Sequence, residues 1–213
     1  MNIKLIKEQK EILIQNKDSS DKLYKMAIDN GLECSIIFFI SSVFMEMVLE
    51  DIEYVVNLMK SKERERYINL ILRVTVEQVI IYRNLMNSNS DNIEMCKDFL
   101  GNNIDIEQIK IGDQSEYEKL KCLIGDRTKM YKNKFYKMAT TFENPDEDCS
   151  FYKMYALLAD YVHNAYYQEC KKLLFEDETE FKDFAIYIFG ILININEEYF
   201  NVMERYTEDA PLD

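Results

Sequence analysis

Two prolines, Pro145 and Pro211, and five glycines are the only strong backbone breakers in 213 residues. A fold of many short strands needs frequent turns, and turns draw heavily on both residue types. A chain this poor in them is suited to long helices. Hydrophobic residues make up 47% of it, enough to enclose a core, so the formal charge of −13 belongs to the surface. The expected fold is all-α: a single helical bundle of six or seven mostly long antiparallel helices, forming one domain over residues 1–213.

The periodicity divides the chain as follows. Residues 3 to 29 predict an amphipathic helix with Ile3, Ile6, Ile12, Leu13, Leu23 and Met26 among charges, stopped by Asn30-Gly31. A second helix, apolar nearly all round in its first half, is expected over about 32–60, and a third follows the charged "KSKERER" over about 63–87. Ser90 or Asp91 is the expected cap of a short helix to Leu100, and residues 101–114 read as a loop. Helices over about 115–142, 149–175 and 178–206 complete the set, with "ENPDEDC" closing the first of these and a disordered tail over 207–213. No internal repeat, low-complexity tract or flexible linker is visible.

The charge and the cysteines exclude several classes. An acidic surface repels phosphate backbones and anionic membranes, so nucleic-acid binding is disfavoured and a protein partner or self-association is expected. Fifteen tyrosines and eleven methionines supply material for a helix–helix interface, so a homodimer is expected. Cys34, Cys96, Cys122, Cys149 and Cys170 are scattered, form no Cys-x-x-Cys pair and have one histidine in the chain to join them. They read as free thiols in a reducing cytosol, and no metal or cofactor is expected. The apolar runs "SIIFFISSVFM" and "FAIYIFGILININ" are too short to span a bilayer, and the charged N-terminus lacks a signal-peptide core. A cytoplasmic protein with no membrane attachment is expected.

Two places could carry chemistry. The third helix, "YINLILRVTVEQVIIYRNLM", has apolar residues in every direction, which predicts a position in the middle of the bundle. Arg73 and Glu77 lie one turn apart on it, and buried charges must find each other or another polar partner. They read either as a structural ion pair or as part of an internal polar pocket. The lone His163 shares a helix face with Ala156, Ala159, Tyr166 and Cys170, a face that reads as semi-buried. Arg73, Glu77 and His163 are therefore expected near one another, as a catalytic or purely structural centre. The basic run "RTKMYKNKFYKMATTF", 127–142, reads as a solvated face over core aromatics rather than as a phosphate-contacting patch. No phosphate loop or nucleophile elbow is present.

"LILRVTVEQVIIYRNLM" followed by "YALLADYVHNAYY" resembles an uncharacterised all-helical bacterial domain family. In that family an Arg-x-x-x-Glu helix precedes a helix ending in a Ser-x-x-x-His motif. Arg73 and Glu77 match the first element and His163 the second, with Ala159 where the family has serine. More distantly, the chain resembles HEPN helical bundles, whose active ribonucleases place an arginine shortly before the histidine. Here those positions are Ala156, Leu157 and Leu158, with no arginine among them. A non-enzymatic protein of bacterial or mobile-element origin acting through protein contacts is expected, and the resemblance implies a defence or regulatory setting for it. The alternative it implies is a HEPN-like endoribonuclease or nucleotide-binding enzyme using Arg73, Glu77 and His163.

Overall fold

The computed structural model describes residues 3–61, 65–87, 92–103, 114–124, 135–141, 150–163 and 181–207. Within them the chain is all-helical, with eight helices and no strand. These are α1 (Ile3–Asp29), α2 (Ser35–Ser61), α3 (Glu65–Asn87), α4 (Asn92–Asn103), α5 (Gln114–Ile124), α6 (Phe135–Thr140), α7 (Phe151–His163) and α8 (Phe181–Thr207). None is long and apolar enough to cross a membrane. The expected cap at Ser90 or Asp91, most of the 101–114 loop, the middle of the 115–142 helix, residues 164–175 and the 208–213 tail lie outside the described residues. Residues 101–103, expected in the loop, continue α4 instead.

The inward stripe of α1 is Leu13, Asn16, Ser20, Tyr24 and Ala27, spaced by three and four residues so that one face turns inward. Met26, expected on that stripe, falls between its members and is 62% exposed. α1 ends where Gly31, at φ 66°, lets the Leu32 amide reach back to the Ala27 carbonyl at 2.9 Å and the Gly31 amide to Ile28 at 3.2 Å. That reversal lays α2 against α1. Lys10 pairs with Glu53, Lys17 with Glu46 and Ser42 with Asp21, so the two helices run in opposite directions. α2 is buried nearly all round in its first half, from Ile36 through Val48, and packs against α1, α3, α4 and α8.

α8 returns to α1 from far along the chain. Its stripe Ile188, Ile191, Ile195, Tyr199 and Val202 is buried. Lys10 and Ile188 line one groove, and Asn16 donates to Asn196 at 2.9 Å. Residue numbers rise together along this seam, so α1 and α8 run the same way. Up-and-down order holds for helices joined by a tight turn, such as α1 and α2. The long excursion from α4 to α7 leaves α8 free to return parallel.

α3 packs against α2, α7 and α8, with Ile68, Leu72, Val76, Val79 and Leu85 buried. It is not enclosed on all sides as its composition suggests. Leu70 is 41% and Val74 40% exposed, and both belong to a strip of apolar surface facing solvent. Folded proteins have too little polar surface to cover themselves, so an apolar residue on a helix does not by itself signify a buried face.

Candidate functional site

α3 and α7 share one of the most extensive seams in the molecule, and Arg73 sits in it. Its Nη2 lies 3.8 Å from Glu77 Oε2, an i, i+4 ion pair, and donates to the Tyr155 hydroxyl on α7 at 3.1 Å. The guanidinium carbon is 5.2 Å from the centroid of the Tyr155 ring, which in turn lies 4.5 Å from the ring of Phe135 on α6. One cation thus ties three helices together by charge, hydrogen bond and ring contact. Its Nε is enclosed and has no hydrogen-bond acceptor.

The pair is not sealed from water. The side chains of Arg73 and Glu77 keep 24% and 34% of their exposure, because they flank the strip that carries Leu70 and Val74. The planar guanidinium of Arg73 can hold a carboxylate and a neighbouring ring in place at once.

His163 is the last residue of α7 and is exposed, not semi-buried as its helix face suggests. Eight residues separate it from Tyr155, a rise of about 12 Å along the helix axis. The structure brings Arg73 together with Glu77 and Tyr155, and sets the imidazole two turns further along the helix that carries Tyr155. No protein-family model, curated protein or solved structure matches this chain.

A second polar centre was not expected from the sequence. Glu198 on α8 is buried, its Oε1 lying 3.2 Å from Arg83 Nε on α3. That N–H is not aimed along a hydrogen bond, so the contact is one of charge. Asn87 and Asn201 also donate to the Glu198 carboxylate. Arg205, two turns of α8 beyond Glu198, donates to the Met86 carbonyl at 2.9 Å and so caps the end of α3. The signal that could have found this centre was the second acid of "NEEY", since Glu198 lies in phase with the buried stripe of α8 through Ile191 and Ile195.

Lys97 is also buried, on α4. Its ammonium reaches Glu33 at 2.7 Å and Glu94 at 2.9 Å. Burial pulls its pKa down, but the two carboxylates more than offset that and hold it above the ordinary lysine value. Of the cysteines, Cys34, Cys96 and Cys122 are free thiols, and Cys149 and Cys170 lie outside the described residues. Burial pushes the Cys96 thiol far up, so it behaves as a small core hydrophobe rather than a nucleophile.

Between α7 and α8 lies an open cleft of about 720 Å³. Phe151, Met154, Leu157, Ile186 and Tyr187 line it, with Lys153 and Asp160 at the edge. At Gly190 on α8, Met154 Cε lies 3.7 Å from where a Cβ would stand, an ordinary contact distance. Leu157 is 45% and Ile186 53% exposed.

Proposed function

We propose that this chain is a non-enzymatic helical protein that acts through protein contacts and pairs with a second copy of itself across α7. The observation that carries the reading is the order of side chains on the outer face of that helix. Lys153, Leu157 and Asp160 fall at i, i+4 and i+7, with exposed Ala156 beside the leucine. In a two-fold pairing, a residue that meets a second residue of the other copy is matched by that second residue meeting the first. An axis between Ala156 and Leu157, the midpoint of the charged pair, sets Lys153 against Asp160 of the second copy twice over. It also brings the two exposed leucines together over the cleft floor. Alanine at the crossing lets the helix backbones come close.

On this reading residues 1–213 form one bundle of mostly antiparallel helices, with α1 and α8 as a parallel pair within it. Reducing, cytoplasmic surroundings suit the free thiols. The defence or regulatory setting in bacteria or their mobile elements rests on the family resemblance alone. An internal ribonuclease centre is not the reading carried forward, because Arg73 is engaged with Glu77 and Tyr155 while His163 faces solvent.

Sedimentation velocity at tens of micromolar tests the pairing. Wild-type protein is expected to run as a dimer. Asp160→Lys sets lysine against lysine and should give monomer at the same concentration, and Lys153→Asp combined with Asp160→Lys should restore the dimer. A monomeric wild type, or a dimer that Asp160→Lys leaves intact, sinks the proposal.

A further inference from the structure

The first turns of α1 and α8 and the last turns of α2 enclose a groove of about 500 Å³. Its floor is apolar: Ile6 on α1, Ile52, Val56 and Met59 on α2, and Ala185 and Ile188 on α8. Its rim carries three lysines, Lys7, Lys10 and Lys60. Glu53 is the one acid among the lining residues, and it pairs with Lys10 at 3.5 Å in an exposed, weak contact. Three cations against one acid reverse the sign of a chain whose formal charge is −13. Such a local field draws in an anion that the rest of the surface repels.

We infer that this groove binds a long-chain carboxylate, the alkyl chain lying on the floor and the carboxylate between Lys7 and Lys60. The volume lies within the range of small-ligand sites, about 300–1,000 Å³. Along α2 the lining runs from Ile52 to Lys60, a rise of roughly 12 Å. That length takes an extended chain of about ten carbons, with C–C bonds near 1.5 Å. Lysine suits the head group, since a flexible ammonium can follow a carboxylate that is not held in one orientation. This site is independent of the dimer face, and either can fail without the other.

The test follows the methyl resonances of Ile6, Ile52 and Ile188 in the intact protein while decanoate, hexanoate or decanol is added at fixed ionic strength. Decanoate is expected to shift these methyls saturably, at one molecule per chain. Each methylene seated on the floor strengthens binding by about threefold to fourfold, so hexanoate should bind far more weakly. Decanol keeps the chain without the charge and should bind about tenfold more weakly than decanoate. The double variant Lys7→Gln, Lys60→Gln, altered only at exposed positions, should lose affinity for decanoate by a similar factor and bind decanol unchanged. Lys119→Gln, which alters a lysine on α5 paired with Asp29, should behave as wild type. The inference is overturned by methyls that do not respond to decanoate, by decanol binding as well as decanoate, or by a double variant with wild-type affinity.

Discussion

Arg83 on α3 and Glu198 on α8 stand 3.2 Å apart, Nε to Oε1, with 9% of the glutamate side chain exposed. The carboxylate is held by this cation and by the amides of Asn87 and Asn201. The seam that joins the late helix to the third one therefore contains a charge that cannot be left alone.

Removing one partner is expected to be worse than removing both. Arg83→Met leaves a buried carboxylate with two neutral donors and should destabilise the fold by about 3 kcal/mol. Combining it with Glu198→Met removes the stranded charge, so the double variant should be more stable than the sum of the single effects by at least about 1 kcal/mol. Urea unfolding of the four proteins measures this. Single effects below about 0.5 kcal/mol that simply add would mean the pair is solvated in practice.

Asp51 gives the fold a pH dependence of known sign. Its carboxyl is pushed above the usual range, first by burial and further by nearby Glu50, while the Thr75 hydroxyl, donating at 2.7 Å, pulls it down by less. The folded state therefore binds this proton more tightly than the unfolded chain does. The contribution to stability is complete below the ordinary aspartate pKa of about 3.9 and fades as pH rises from there through the raised value. Asp51→Asn still offers Thr75 an acceptor but never ionises. The variant is expected to match or exceed the wild type at neutral pH and to lack that decline. Melting temperatures across the acid range check it, and a variant that is weaker at neutral pH with an unchanged slope contradicts it.

The same substitution at two glycines should act in opposite directions. At Gly31, φ 66° with open space around the missing side chain, alanine meets backbone strain alone and should cost about 1 kcal/mol. At Gly190, inside α8, the nearest atom to a new Cβ is Met154 Cε at 3.7 Å, the flexible end of a side chain in ordinary contact. There alanine should stabilise by up to about 1 kcal/mol through helix propensity. Thermal unfolding of both variants decides, and Gly190→Ala falling as far as Gly31→Ala would show that the α7–α8 approach is tighter than the contact suggests.

Most of the helices were legible because their signals are local. α1, α2 and α3 lie within two or three residues of their expected limits, since Asn30-Gly31, "KSKERER" and the change of period sit in the sequence itself. The Arg73–Glu77 pair was legible for the same reason: i, i+4 spacing is a property of one helix. Tyr155 and Phe135, which complete the setting of Arg73, carry no local signal beyond their place on the apolar stripe of a helix. A stripe indicates which way a residue faces but not what it meets.

What the sequence by itself determined is the helical class, the turn at Gly31 and the composition of each face, because these depend on backbone conformation and spacing within a few residues. What only the tertiary structure decided is which faces meet. It ran α8 parallel to α1, left Leu70 and Val74 on the surface of a helix that looks built for burial, and placed His163 in solvent at the end of α7. It also buried Glu198 against Arg83, 115 positions earlier in the chain. The physical reason is that burial and charge pairing are settled by packing against distant segments, and those pairings leave no regular spacing in the sequence.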